Sequence, residues 1–307
     1  MAEEQTSTPA PAPVSLNGPR ALFAQAWSLY KTKFKLFAGI LLVPLLLGVL
    51  SNIINPNYLI YNSWNPFWAL AQLVVSVLFI LAMVWGQASL IYALSRRNEE
   101  LGVDEAYGQS KTFFWRYLGV LLLNAFIIVG GFFLFVIPGI YFMFLFIFAL
   151  FILVAEGERG IMNCLLKSRE YVRGRWWGVL GRYLAVAIPA LIVFSIINGV
   201  AVLIGSDMAW VSLVSALSSL LVVPFLVSYF FLFYENLKAV KGEVSVPADN
   251  FNRWIYLIIA AAGYLLFAIL LALGVFFTVL GFLLGWLFGN GGLETGDFLN
   301  NLPTNSI

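Results

Sequence analysis

The chain reads as an all-α polytopic membrane protein, a transmembrane helical bundle of about seven spans with three hairpin repeats, each preceded by an interfacial elbow helix. Three observations predict this. The 307 residues are 62% hydrophobic and only 10% charged, with a mean hydropathy of +0.92. A soluble domain carries roughly 25% charged residues, and with far fewer it cannot cover its own surface. Long stretches hold no charge at all, and every Lys and Arg falls on one side of the membrane those stretches imply.

Residues 1–19, MAEEQTSTPAPAPVSLNGP, are rich in Pro, Ala, Ser and Thr. They read as a disordered cytoplasmic tail rather than a signal peptide, since no basic start leads into an apolar run. A helical span needs about 20 mostly apolar residues. The charge-free runs Leu36–Ser95, Tyr117–Ala155, Tyr183–Ser206, Met208–Tyr234 and Trp254–Leu293 supply them. The first holds two spans, Leu36–Ile54 and Phe67–Leu94, around the loop Asn55–Pro66. Ile137-Pro138-Gly139 is a turn signal that divides the second run into Tyr117–Val136 and Pro138–Ala155. Gly178–Ile204 and Ala209–Tyr234 follow. Trp254–Phe288 is long for one pass and tight for two, and is read as one span with an interfacial extension. The domain reading is therefore a six-span membrane domain over 20–253, an additional span over 254–288 and a flexible tail over 289–307.

With the N-terminus inside, the inner segments are the tail, 95–116, 156–177 and 235–253. All seventeen Lys and Arg lie there or at the inner ends of helices. The outer segments 55–66, 137–139 and 205–208 and the tail after Phe288 hold none. This is the positive-inside pattern of a multi-pass protein of the cell membrane with a cytoplasmic N-terminus.

Three segments share an order of features: AWSLYKTKFKLFAGILL from Ala26, AYGQSKTFFWRYLGVLL from Ala106 and SREYVRGRWWGVLGRYL from Ser168. Each carries a basic residue (Lys31, Lys111, Arg173), then aromatics (Phe34; Phe113, Phe114 and Trp115; Trp176 and Trp177), then a Gly (Gly39, Gly119, Gly181) and an apolar run. The unit is a short surface helix, a cation–aromatic elbow at headgroup depth and a transmembrane hairpin. In the first surface helix Leu22, Phe23, Ala26, Trp27 and Tyr30 fall on one apolar face.

The chain has no His, and Cys164 is its only Cys. That excludes His-based triads, His or Cys/His metal sites, thioredoxin pairs and an intramolecular disulfide. No phosphate-cradling Gly loop or nucleic-acid patch appears, so no catalytic residue, cofactor or metal is expected. The densest charge lies in 156–182, where Arg offers a planar fork for phosphate. Lys167, Arg169, Arg173, Arg175 and Arg182 are the candidate lipid-headgroup-binding residues, flanked by Trp176 and Trp177; the plainer reading of the same charges is that they fix topology. Glu156 and Glu170 are the acids best placed to pair, as Glu156–Arg182 or Glu170–Arg173.

Pro44, Pro189 and Pro224 fall inside spans, and Asn124 occupies the repeat position of Pro44; interrupted helices of this kind form substrate sites in transporters. Ser212, Ser215, Ser218 and Ser219 with Asn198 suggest interhelical hydrogen bonds. Gly130-Gly131 and the GxxxG at Gly281–Gly285 suggest helix contact, the latter with self-association. The outer loop from Asn55 to Trp68 reads as an aromatic belt.

The segment IPGIYFMFLFIFALFILVAEGERGIMNCLLKSREYVRGRWW and the later YFFLFYENLKAVKGE carry a resemblance through Pro138, Gly139, Glu156, Ser168, Arg173, Trp176–Trp177, Tyr234, Leu237 and Lys238. Over residues 20–242 the chain resembles uncharacterised bacterial membrane proteins related to the membrane domain of glycerophosphoryl diester phosphodiesterases. In that family the membrane part can be fused to a soluble phosphodiesterase domain that needs metal-binding carboxylates and catalytic His; this sequence shows neither a soluble domain nor any His. The resemblance implies a fold and a cellular address without that activity.

The expected function is non-enzymatic: a membrane module engaging phospholipid headgroups or a membrane partner through its basic cytoplasmic face, with a second copy of the chain as one such partner. The alternative is a small-solute or lipid transporter using the Pro-interrupted helices. An intramembrane enzyme on lipid headgroups would have only Glu156 and Glu170 to work with.

Overall fold

The computed structural model describes residues 16–53, 66–205, 208–246 and 250–289. Most of the N-terminal tail, the outer aromatic loop and the C-terminal tail lie outside these residues. The elements in order are α1 (Pro19–Ile53), α2 (Pro66–Ser95), α3 (Val103–Ser110), α4 (Phe114–Leu134), α5 (Val136–Leu145), α6 (Ala149–Ala155), α7 (Ile161–Val172), α8 (Trp176–Ile204), α9 (Met208–Lys241) and α10 (Asn250–Gly289). Among the described residues there is no strand, and seven helical stretches are long and apolar enough to cross a membrane. The protein is an all-α, multi-pass membrane protein. The segment left between one pass and two, Trp254–Phe288, lies within the single uninterrupted helix α10.

The three repeats superimpose in burial as well as in sequence. From Lys31, Lys111 and Arg173 the same eight-residue run follows: first, second and fifth positions exposed, the seventh (Phe37, Tyr117, Val179) buried, the rest half-buried. Upstream, Ala26, Ala106 and Ser168 are all buried, as are Tyr30, Ser110 and Val172. The elbows themselves differ. The third turns at Gly174, whose φ of +77° suits glycine. The second tightens through bonds spanning three residues, Thr112 N to Gln109 O and Phe113 N to Ser110 O, while Phe113 and Phe114 pack on Tyr92 and Trp85 of α2.

In the first repeat the expected surface helix and the span are one continuous helix, α1. It has no glycine at the elbow, and the Thr32 hydroxyl donates to Ser28 O four residues back, a helical geometry. Its apolar face also divides. Leu22, Ala26 and Tyr30 are buried in protein, whereas Phe23 and Trp27 remain half exposed against the edge of Phe225.

The fourth span is not the single helix Pro138–Ala155 expected from its apolar run. It breaks at residues 146–148 between α5 and α6. Hydrocarbon offers no hydrogen bond to the freed backbone groups, and the buried Ser168 of α7 supplies both: its hydroxyl donates to Leu145 O (2.9 Å) and accepts from Phe148 N (3.2 Å). Pro44 creates a similar vacancy in α1, since it cannot donate to Ile40 O. The Tyr107 hydroxyl of α3 donates to that carbonyl instead, at 2.5 Å.

Contacts sort into two compact units, residues 16–125 with 143–246, and residues 126–142 with 250–289. In the first, the repeats interlock in a cycle. A Cβ on Gly39 would come 2.8 Å from Val103, the first residue of α3, and one on Gly119 would come 2.7 Å from Ile161, the first residue of α7. Each span therefore leaves room for the start of the next repeat. The third repeat closes onto the first through Arg182, whose guanidinium donates to Asn17 O (2.9 Å) and Leu16 O (3.3 Å) just before α1. In the second unit, Phe126 stacks on Tyr264 and Phe133 on Phe267, with ring centroids 4.7 and 4.1 Å apart. Gly130 is the expected close contact: a Cβ there would lie 2.6 Å from Ala260 Cα. Gly281 of the GxxxG meets nothing within 4 Å.

A Cβ at Gly263 would collide with the Gly130 carbonyl oxygen. Gly263→Ala is therefore expected to destabilise the protein by about 2 kcal/mol, the scale of overpacking, while Gly281→Ala is neutral. Thermal unfolding of the two variants in detergent micelles checks this.

Candidate functional site

The site is built around the end of the broken fourth span. α6 ends at Ala155, Glu156 is its C-cap residue, and Gly157, with φ +66°, reverses the chain toward α7. On α7, Lys167 and Tyr171 are four residues apart and share a face; on α9, Tyr234 and Lys238 do the same. Both faces meet the Glu156 carboxylate. Tyr234 donates to it at 2.6 Å and Tyr171 at 2.9 Å. Lys167 lies 3.1 Å away and Lys238 3.3 Å. Lys167 also reaches Glu158 at 2.8 Å, and Asn163 donates to Glu158 at 3.4 Å.

Burial alone would raise the Glu156 pKa, but the hydrogen bonds from Tyr234, Tyr171 and Lys167 and the charge of Lys238 outweigh it, so the carboxyl sits below the usual range. Glu158 is lowered by Lys167 against its partial burial. Desolvation works against the Lys167 ammonium, yet Glu158 and Glu156 together push its pKa up. Burial, then the Glu158 charge, drives the Cys164 thiol up to about 12, so it stays protonated. Tyr171 is raised by burial and by its bond to Glu156. The result is an ionised carboxylate fully engaged by four donors that ties α6, α7 and α9 together.

The five basic residues singled out in the sequence have different surroundings. Lys167 is turned inward between Glu156 and Glu158. Arg169 lies 3.8 Å from Glu170. Arg173 is 3.5 Å from Glu170 with 71% of its side chain exposed, and Arg175 is half-buried at the N-cap of α8. Arg182 bonds three backbone carbonyls, those of Leu16, Asn17 and Gly178, with its guanidinium 5.8 Å over the Phe233 ring. Of the expected pairs, Glu170–Arg173 forms, while Glu156 takes Lys167 and Lys238 rather than Arg182. Lys241 caps α7, donating to Glu170 O and Arg173 O at 2.6 Å each.

Tyr171, Tyr234 and Lys238 were not foreseen as partners of Glu156. The usable signal was the matched four-residue spacing of Lys167/Tyr171 and Tyr234/Lys238. Of the membrane prolines, Pro44 lines a cavity, and Pro189 is exposed. The serine set does link helices: Asn198 Nδ2 donates to Ser218 Oγ at 3.4 Å.

The fold defines the class, a helical membrane protein with seven candidate spans among the described residues. No protein-family model, curated protein or solved structure matches the chain.

Glu156 is only 10% exposed, and Glu156→Gln removes the carboxylate shared by the partly exposed Lys167 and Lys238 while Lys167 keeps Glu158, so it is expected to cost about 1–2 kcal/mol. Because its folded pKa lies below the unfolded value of about 4.3, its contribution is complete above that pH and is lost as pH falls through the folded pKa. Melting temperatures in detergent across this acid range should fall more steeply for the wild type than for Glu156→Gln.

Proposed function

We propose that the protein is a non-enzymatic module of the cell membrane, N-terminus cytoplasmic, that engages anionic phospholipid headgroups through its three repeated elbows. The observation that carries this reading is the shared register of the elbows. At the first position of each stands an exposed cation, Lys31, Lys111 or Arg173. Aromatics follow where the helix enters the apolar layer, with Trp115 75% and Trp177 78% exposed. Such a placement suits headgroup depth, where tryptophan is favoured and phosphate is met by cations.

The reading moves weight away from Lys167 and Arg182, whose donors are already used within the protein, and onto Arg173 with its repeat equivalents; Arg175 lies beside Arg173 in the same elbow. The Arg173–Glu170 pair is exposed enough to cost little when a phosphate competes for the guanidinium. A non-catalytic role is supported by the Glu156 cluster: a general acid or base works best with a pKa near the operating pH, and Glu156 is shifted the other way.

Each elbow cation near an anionic surface contributes about 1 kcal/mol, or roughly fivefold in lipid retention. Native mass spectrometry of the protein from nanodiscs containing phosphatidylglycerol and phosphatidylcholine tests this. Neutralising Lys111 and Arg173 to Gln is expected to lower retained phosphatidylglycerol and leave phosphatidylcholine unchanged. Equal phosphatidylglycerol retention in wild type and double variant would leave these cations as topology signals only.

A further inference from the structure

Away from the basic elbows, α1, α2, α8 and α9 pack around a half-open cavity of about 440 Å³, inside the range of roughly 300–1,000 Å³ typical of small-molecule sites. It lies beside Pro44, about 20 Å further along α1 than Lys31 at ~1.5 Å rise per residue. One wall is apolar, with Leu41 and Pro44 of α1 and Phe79 of α2; the other brings Asn198 of α8 and Ser212 and Ser215 of α9 to the same space.

The polar wall is only partly satisfied from within. Asn198 donates to Phe194 O at 2.8 Å, and the Ser215 carbonyl accepts from both Ser218 and Ser219. The hydroxyls of Ser212 and Ser215 have no hydrogen-bond partner among the described residues. No Lys, Arg, Asp or Glu lines the cavity. A charged ligand would sit there without a counter-charge in a low-dielectric layer, which is strongly disfavoured. A ligand without oxygen would leave the two hydroxyls unpaired.

We propose that this cavity binds a neutral amphiphile, with an apolar chain against Leu41, Pro44 and Phe79 and a hydroxyl or ester oxygen against Ser212 and Ser215. The site is independent of the headgroup reading, because it selects against charge and is built from different residues.

The test uses the full chain in nanodiscs and a photoreactive monoacylglycerol with a diazirine in its acyl chain; the matching diazirine fatty acid, ionised at neutral pH, is the charged comparison. The monoacylglycerol is expected to crosslink saturably to α1 and α9 and to be displaced by unlabelled monoacylglycerol. Ala216→Phe, which projects into the cavity, should abolish this labelling, whereas Leu217→Phe on the exposed neighbouring position should not. If Ala216→Phe does not fold, as judged by gel filtration and circular dichroism, Ser212→Ala with Ser215→Ala decides. That pair keeps the cavity open and should weaken labelling by about fivefold through lost hydrogen bonds. Equal labelling by the fatty acid, or labelling undiminished in the folded cavity variants, would overturn the proposal by placing the probe on the outer surface of the helices.

Discussion

A backbone group freed inside hydrocarbon has no water to turn to, and Tyr107 and Ser168, on the short helices α3 and α7, answer that constraint for two of the spans. Pro44 leaves the Ile40 carbonyl without its helical donor, and Tyr107 answers it. The break between α5 and α6 frees a donor and an acceptor, and one serine, Ser168, serves both. The carbonyls of Leu16 and Asn17 lie ahead of the first helix, and Arg182 gathers them. In each case the answering residue comes from a different repeat or helix pair, so repairing the backbone also joins the repeats.

That coupling gives the first compact unit its cyclic character. Glycines at matching positions, Gly39 and Gly119, admit the first residue of the next repeat. The third repeat has no successor. Its Gly181 meets nothing within 4 Å, and the residue after it, Arg182, reaches back to the chain before α1. A van der Waals joint used twice is replaced by a hydrogen-bonded one where the partner is an irregular segment with carbonyls to satisfy.

Charge near the elbows serves two ends that the sequence does not separate. Inward-facing groups, Glu156 with Lys167, Lys238 and two tyrosines, hold α6, α7 and α9 where the broken span ends. Outward-facing groups, Lys31, Lys111 and Arg173, stand at equivalent positions of three elbows. The first set is saturated by its own partners. The second is exposed, with Arg173 paired only at the surface to Glu170, and for that reason the proposed headgroup reading rests on it.

Composition and charge alone determined the solvent, the helical class and the number of spans, because a span's length and its freedom from charge are set by the thickness of hydrocarbon, and the shared order of basic, aromatic and Gly residues made the repeat legible. The closeness of Gly130 to another helix was also legible, since a missing side chain is a local property. Three features were decided only by tertiary structure. The first elbow runs straight while the others bend, because packing on α2 and a left-handed glycine act in the latter two. The fourth span breaks inside an apolar run with no Pro or Gly at residues 146–148, because Ser168, twenty residues away, can satisfy the break. The partners of Glu156 come from two helices far apart in sequence, and no local pattern states which four-residue pair will face a given carboxylate.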